Sequence, residues 1–93
     1  MFDMKRIEEA LLRVFPEVEI VSMKLIGSSA LSPQEQIAQD IAKYGEVQDE
    51  RDIDIEVVVR GISEEDIEER WIFSDEAEEL ELLYKYDVQL KVL

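Results

Sequence analysis

The alternation typical of a β-strand with one apolar face runs through residues 51–60, R-D-I-D-I-E-V-V-V-R. Successive side chains of a strand point to opposite faces, so Ile53, Ile55, Val57 and Val59 share one apolar face. The other face presents the carboxylates of Asp52, Asp54 and Glu56. The apolar face can be buried beneath helices, but the acidic face must meet water, a cation or a basic partner. This acidic face is therefore the candidate functional surface.

Length and composition limit the class of protein. The 93 residues predict one domain, residues 1–93, with a single two-layer core. The sequence contains no cysteine and no histidine, which excludes a disulfide scaffold, thiolate chemistry and the commonest general base. Any bound metal would therefore have oxygen ligands, as Mg²⁺, Mn²⁺ and Ca²⁺ do.

The chain is strongly acidic, with a formal net charge of −14. Such a charge disfavours membrane surfaces and tight nucleic-acid binding, both of which need a basic surface. Most of the acidic side chains are expected to solvate helix faces. No apolar run is long enough to span a bilayer and no signal-peptide pattern is present, so the expected protein is soluble and cytoplasmic.

The first half of the chain predicts two helices and a strand. Apolar residues at three- and four-residue steps predict a helix over residues 3–15, which Pro16 ends. A period of two then predicts a strand over residues 18–26, with its apolar face formed by Val21, Met23 and Leu25. This strand runs directly into Gly27.

Helix-start signals follow at residues 32–35, Ser-Pro-Gln-Glu, which have the pattern of a capping box with proline at the first helical position. The predicted helix extends to Tyr44, and Gly45 is placed to end it in a left-handed conformation. Its spacing predicts a buried stripe of Ile37, Ile41 and Tyr44. Residues 46–50 are expected to form a surface loop.

The second half predicts a turn, helices and a last strand. Gly61 is expected to turn the chain, and Ser63 and Ser74 are expected to cap helical segments within residues 62–85, with a break near residues 73–74. The expected inward positions are Ile67, Trp71, Ala77, Leu80, Leu83 and Tyr84. A final strand is predicted over residues 86–93, with Asp87 on its polar side.

These elements alternate as helix, strand, helix, strand, helix, strand. The simplest α/β (α+β) architecture is a two-layer sandwich, in which a small mixed or parallel three-stranded sheet carries helices on one face. The uncovered face would then gather Asp52, Asp54 and Asp87. Such a cluster makes a divalent-metal site possible.

Several segments together resemble the minimal nucleotidyltransferase domain of the DNA polymerase β-like superfamily. The likeness covers nearly the whole chain, with a longer connection than usual between the glycine–serine pair and the D-x-D strand. It is carried by K-R-I-E-E at 5–9, F-P-E-V at 15–18, L-I-G-S at 25–28, R-D-I-D-I at 51–55 and Y-D-V at 86–88.

The resemblance implies specific roles for five residues. Gly27 and Ser28 would open a helix and contact the phosphates of a nucleoside triphosphate. Asp52 and Asp54 would hold Mg²⁺ or Mn²⁺, and Asp87 would complete the ligand set and activate an attacking hydroxyl. The implied activity is transfer of a nucleoside monophosphate to a hydroxyl of a protein or nucleic acid.

The residues also fit an alternative from a different class of protein. A non-catalytic acidic α/β module would use its carboxylates to bind a basic protein partner, or to hold Ca²⁺ or Mg²⁺ weakly. In that case Tyr44 and Phe73 are the aromatic candidates for contact with a partner. The enzyme hypothesis requires the three aspartates to converge beside Gly27, whereas the alternative leaves them scattered.

Overall fold

The computed structural model describes residues 3–48 and 51–93. In these residues four α-helices and a three-stranded mixed sheet form a small α+β domain. The elements are α1 (Met4–Val14), β1 (Glu19–Leu25), a 3₁₀ turn (Gly27–Ala30), α2 (Pro33–Tyr44), β2 (Ile53–Arg60), α3 (Glu64–Asp66) with a π-helical turn (Ile67–Trp71), α4 (Asp75–Tyr84) and β3 (Tyr86–Val92). The predicted break between the last two helices is confirmed. Residues 49 and 50, in the expected loop, lie outside the described residues.

The predicted acidic strand, β2, is the central strand of the sheet. It pairs antiparallel with β1 and parallel with β3. The sheet is therefore mixed, which is one of the two expected arrangements. Because β3 runs parallel to β2, α3 and α4 form the long crossover that a parallel pair requires.

The core lies against the apolar face of β2, as the alternation predicts. Ile55, Val57 and Val59 are fully buried. Burial of each such side chain contributes about 1.5–3 kcal/mol, so this face anchors the sheet to the helices. The other buried apolar residues are Ile7, Ala10, Leu11, Phe15, Val18, Ile62, Trp71, Leu80 and Tyr86.

Local capping signals predict the ends of the middle helix well. The Ser32 hydroxyl accepts a hydrogen bond from the Glu35 amide at 3.2 Å, and Pro33 is the first residue of α2. Gly45 follows the helix with φ of 78°, the left-handed conformation that favours glycine. These groups lie within a few residues of one another, so sequence alone places both ends of α2.

The predicted caps of the later helices are also confirmed. The Ser63 hydroxyl accepts from the Asp66 amide at 3.1 Å, and the Ser63 amide donates to the Asp66 carboxylate at 3.0 Å. This reciprocal pair is a complete capping box. The Ser74 hydroxyl accepts from the Ala77 amide at 3.1 Å and so starts α4.

The face assignment of β1 is wrong in its first half. The register between β1 and β2 shifts between Ile20 and Ser22, which makes Val21 the extra residue of a β-bulge. Ile20 therefore packs on the core beside Met23, while Val21 is 45% exposed. A bulge inserts one residue and reverses the alternation on one side of it, so a strict period of two misplaces Val21.

The predicted buried stripe of α2 is also wrong. Ile37, Ile41 and Tyr44 are all exposed, and Asp40 is the one buried residue of the helix. The described residues span 44 × 23 × 22 Å, which is elongated for so small a domain. Amphipathic spacing predicts that a helix has an apolar side, but it does not predict whether another element packs against that side.

One inward position of α4 is wrong as well. Leu80 is buried and Tyr84 packs against the core, but Leu83 is 68% exposed. Neighbouring residues of an α-helix are turned by about 100° relative to each other. Once Tyr84 faces the core, Leu83 must point away from it.

Candidate functional site

Asp54 and Asp87 are direct neighbours across the parallel pair of strands, because the register joins Asp54 of β2 to Asp87 of β3. Side chains at paired positions of adjacent strands point to the same face. That face is opposite the buried side chain of Ile55. Asp52 lies one residue before the start of β2 and is exposed. The helix-free face thus brings together two of the three predicted aspartates.

The electrostatics of Asp54 indicate how close these groups are. Burial raises the pKa of the Asp54 carboxyl above its ordinary value, and the nearby charge of Asp87 raises that pKa further. A hydrogen bond between the Asp54 and Asp87 carboxyls and the charge of Asp52 act in the same direction. Both neighbouring carboxylates therefore act on Asp54, and a divalent cation would relieve this repulsion.

Asp54 and Asp87 form a pair, and Asp52 lies further away. Within residues 3–48 and 51–93, no set of three or more acidic side chains is arranged to hold a metal ion. Mg²⁺ commonly binds through one or two carboxylates and keeps several waters or substrate phosphates as its other ligands. The carboxylate oxygens of Asp54 and Asp87, with Asp52 beside them, therefore fit a Mg²⁺-type ion that a phosphate also ligates.

The segment containing the glycine–serine motif is fastened directly to β2. The backbone N–H of Asp54 donates to the Ser29 hydroxyl at 2.8 Å, and the N–H of Ile26 donates to the Asp54 carbonyl at 3.0 Å. The Ser29 hydroxyl is also 3.4 Å from the Asp52 carbonyl, to which it donates. These hydrogen bonds hold the glycine–serine motif against the D-x-D segment. The Ser29 hydroxyl takes part in two of them, although the sequence analysis predicted no role for Ser29.

Gly27 is required at this contact for two reasons. Its φ of 58° is in the left-handed region, and a Cβ atom there would lie 3.3 Å from Oδ2 of Asp54. The resemblance implied that Gly27 and Ser28 open a helix, but Gly27–Ala30 is only a 3₁₀ turn. The next helix starts at Pro33, because the Ser32 cap lies several residues further along the chain.

A cavity of about 490 Å³ adjoins Asp52. This volume is in the range that holds small-molecule ligands. Asp52 is shared between the cavity and the carboxylate group, whereas Asp54 and Asp87 are not among the lining residues. The described lining residues are Ser28, Gln39, Asp40, Lys43, Tyr44, Gln48, Arg51, Asp52 and Lys85.

The lining of this cavity is more basic than the rest of the chain. It includes three cationic side chains, Lys43, Arg51 and Lys85, and two carboxylates, Asp40 and Asp52, in a protein with a net charge of −14. Arg51 forms an ion pair with the buried Asp40, and Lys43 Nζ lies 5.3 Å from the centroid of the Tyr44 ring. Sequence reasoning missed both lysines, because 42 positions separate them and no spacing rule connects them.

Lys85 also has an unusual backbone conformation. Its φ is 59°, and among the described residues no other non-glycine residue has a positive φ. It ends α4, and its carbonyl accepts a hydrogen bond from the Ile53 amide at 2.7 Å. Glycine is the usual residue at such a position. Lys85 thus ends α4 in a conformation that strains the backbone of a non-glycine residue.

The remaining acid of the D-x-D strand has a different environment. Glu56 lies between two lysines on neighbouring strands, with Lys24 Nζ at 3.6 Å and Lys91 Nζ at 4.0 Å from its carboxylate oxygens. Both lysines are largely exposed, so these pairs contribute little to stability. They neutralise Glu56, however, and so separate it from the uncompensated Asp52, Asp54 and Asp87.

Comparisons with known proteins return no relative: no protein-family model, no curated protein and no solved structure matches this chain. None of the helices in the described parts of the chain combines the length and the apolar composition needed to cross a membrane.

Proposed function

We propose that this protein is a small Mg²⁺-dependent nucleotidyltransferase-like enzyme. The observation that supports this most is the pairing of Asp54 with Asp87 beside the Gly27–Ala30 turn, next to a cavity with cationic lining. In this proposal the αβαβαβ order corresponds to a nucleotidyltransferase domain in which α3 and α4 together are the last helix. The substrate is a nucleoside triphosphate and the acceptor is a hydroxyl of a protein or nucleic acid; the acceptor oxygen bonds to the α-phosphorus, the α–β phosphoanhydride bond breaks and pyrophosphate leaves.

The carboxylates bind the metal and activate the acceptor in this proposal. Asp54 and Asp87 would hold the metal, with Asp52 further away, and the metal would supply positive charge next to the phosphate being transferred. Asp87, exposed on the same face, accepts the proton of the attacking hydroxyl. Asp54 is held in place by the hydrogen bonds of its backbone to Ser29 and Ile26.

The cavity supplies the other half of a nucleotide site. The ammonium groups of Lys43 and Lys85 attract the anionic phosphates, and the Ser28 hydroxyl offers them a hydrogen bond. The Tyr44 ring offers a flat surface to the base. Asp52 links the cavity with the carboxylates, so the phosphate to be transferred would be bound at that end.

The position of Lys85 supports a role in binding. A glycine at this position would relieve the strain of a positive φ but would remove the ammonium group from the cavity. In this proposal the ammonium group of Lys85 binds phosphate, in addition to its favourable position at the C-terminal end of α4.

The proposal is tested by titrating Mg²⁺ with and without a non-hydrolysable ATP analogue while the thermal midpoint is followed. Native protein is expected to show a metal-dependent nucleotide shift of roughly 11–22 °C at a hundred times Kd, which corresponds to about 2.7 kcal/mol. The Asp52→Asn/Asp54→Asn variant is expected to lose this shift. The matched control, Glu8→Gln/Glu9→Gln, removes the same charge from the exposed side of α1 and should keep it.

Lys85→Gly separates ligand binding from stability. Without ligand, the thermal midpoint of this variant is expected to equal or exceed that of native protein. The nucleotide concentration needed for a given thermal shift is expected to be at least tenfold higher. The proposal is overturned if neither metal nor nucleotide produces a shift that the double aspartate variant abolishes.

A further inference from the structure

The outward side of α4 is an apolar spot next to carboxylates. Residues at steps of three and four along this helix line a shallow groove of about 310 Å³. We call it the α4 outer face, and its residues are Asp75, Glu78, Glu79, Leu82 and Leu83.

The two leucines of this face do not pack in the core that the described residues form. Leu82 is 62% exposed and Leu83 is 68% exposed, whereas Leu80 on the inner side of the same helix is 2% exposed. Helix α4 is thus already attached to the domain by its inner side. Exposed apolar groups with a polar rim are typical of interaction sites.

The charge of the surface selects the kind of occupant. Three carboxylates, Asp75, Glu78 and Glu79, lie one and two turns before the leucines on the same side of the helix. A second copy of the chain carries the same three carboxylates on this face and the same net charge of −14, so the two copies would repel each other. Anionic lipid and nucleic acid would be repelled in the same way.

We propose that the α4 outer face binds a basic amphipathic segment of a protein partner. Apolar side chains of that segment cover Leu82 and Leu83, while its lysines or arginines face Asp75, Glu78 and Glu79. The apolar contact provides affinity and the three carboxylates select for positive charge. This inference is independent of the proposed enzymatic activity, because none of these residues lies in the carboxylate group or the cavity beside it.

The test uses two fluorescent 14-residue peptides of equal positive charge. One has leucines and lysines spaced as an amphipathic helix, and the other has serine in place of each leucine. Anisotropy titrations with native protein at 50 and 300 mM NaCl are expected to show binding of the leucine peptide that weakens with salt, and at least tenfold weaker binding of the serine peptide.

Variants then locate the binding surface. Leu82→Ala/Leu83→Ala is expected to weaken binding of the leucine peptide at least tenfold, and Glu78→Gln/Glu79→Gln is expected to reduce the salt dependence. The matched control, Ile37→Ala/Ile41→Ala, removes equally exposed apolar groups from α2 and should bind as native protein does. Circular dichroism melts check that each variant is folded, and because both leucines are exposed no loss of fold is expected.

Three results would overturn the proposal. The first is equal binding of the two peptides, which would mean that charge alone is recognised. The second is native affinity in Leu82→Ala/Leu83→Ala. The third is a dimer in sedimentation that this variant dissociates, since the occupant would then be a second copy. The Asp52→Asn/Asp54→Asn variant should bind the peptide normally, so failure of the enzymatic proposal leaves this one standing.

Discussion

At the level of single residues, the fold disfavours the ionised form of the Asp54 carboxyl. The strand that buries Ile55 on one side presents Asp54 on the other, directly beside Asp87. Burial, the charge of Asp87 and the charge of Asp52 all raise the pKa of Asp54. A carboxyl whose pKa is raised on folding destabilises the native state whenever it is ionised.

The effect of Asp54 on stability should therefore depend on pH. Its unfavourable contribution is absent below the ordinary pKa of 3.8, where the carboxyl is protonated in both states, and it is fully present above the raised folded pKa. Asp54→Asn is expected to raise the thermal midpoint of the metal-free protein at pH 7, because the amide carries no charge for burial and Asp87 to oppose. This gain should fade as the pH falls towards 4, as measured by thermal melts in a chelating buffer.

Glu8→Gln provides the comparison, because it removes one exposed charge from α1 without touching this group. Its effect should be within about 0.5 kcal/mol at every pH. A destabilised Asp54→Asn at neutral pH, or a gain that persists unchanged into acid, would show that Asp54 is not under electrostatic stress.

At the scale of secondary-structure elements, α2 differs from the other helices in how it is attached. Its apolar residues are exposed, and its one buried side chain is Asp40. Asp40 forms an ion pair with Arg51 and accepts a hydrogen bond from the Gln48 amide at 3.1 Å. The polar contacts of Asp40 therefore hold α2, which lines the cavity, in place.

Neutralising this contact should loosen α2 without unfolding the sheet. Asp40→Asn is expected to cost about 1.5 kcal/mol locally, since bonds to charged groups are worth roughly 1.5–3 kcal/mol. Amide hydrogen exchange in residues 33–48 should become about tenfold faster, while the amides of β2 keep their protection.

Glu46→Gln is the matched control, because Glu46 carries the same charge just after α2 but is exposed. It should leave the exchange rates unchanged. Equal acceleration in both variants, or faster exchange throughout β2 in Asp40→Asn, would contradict the view that Asp40 alone anchors α2.

At the scale of the whole molecule, net charge opposes compactness. A charge of −14 on 93 residues produces self-repulsion that the exposed ion pairs, such as Arg60 with Glu19, do little to offset. Salt reduces this repulsion, because the Debye length falls to about 10 Å at 0.1 M.

The domain is therefore expected to become more stable as NaCl is added. Between 20 and 200 mM NaCl, the free energy of unfolding from urea titrations should rise by about 0.5–1 kcal/mol, and KCl should act equally. A fall in stability would mean that ion pairs outweigh self-repulsion. At matched ionic strength, a larger gain in Mg²⁺ than in NaCl would add support for the proposed metal site.

Much of this fold is predictable because its signals are local. The caps at Ser32, Ser63 and Ser74 bond to amides a few residues away, and the period of β2 is a property of a single strand. The predicted core face of β2 and the ends of α2 are therefore confirmed. The sequence also singled out Asp54 and Asp87, which the register then made neighbours.

The positions of the helices and strands and the apolar side of β2 follow from the order of the residues, because those features depend on neighbours along the chain. Three other features follow from the packing of the folded domain: Val21 is the extra residue of a bulge, Ile41 is exposed, and Lys43 and Lys85 line one cavity. Each of these depends on which element lies opposite. Contacts between residues far apart in the chain arise from the packing of whole elements, and no local spacing records that packing.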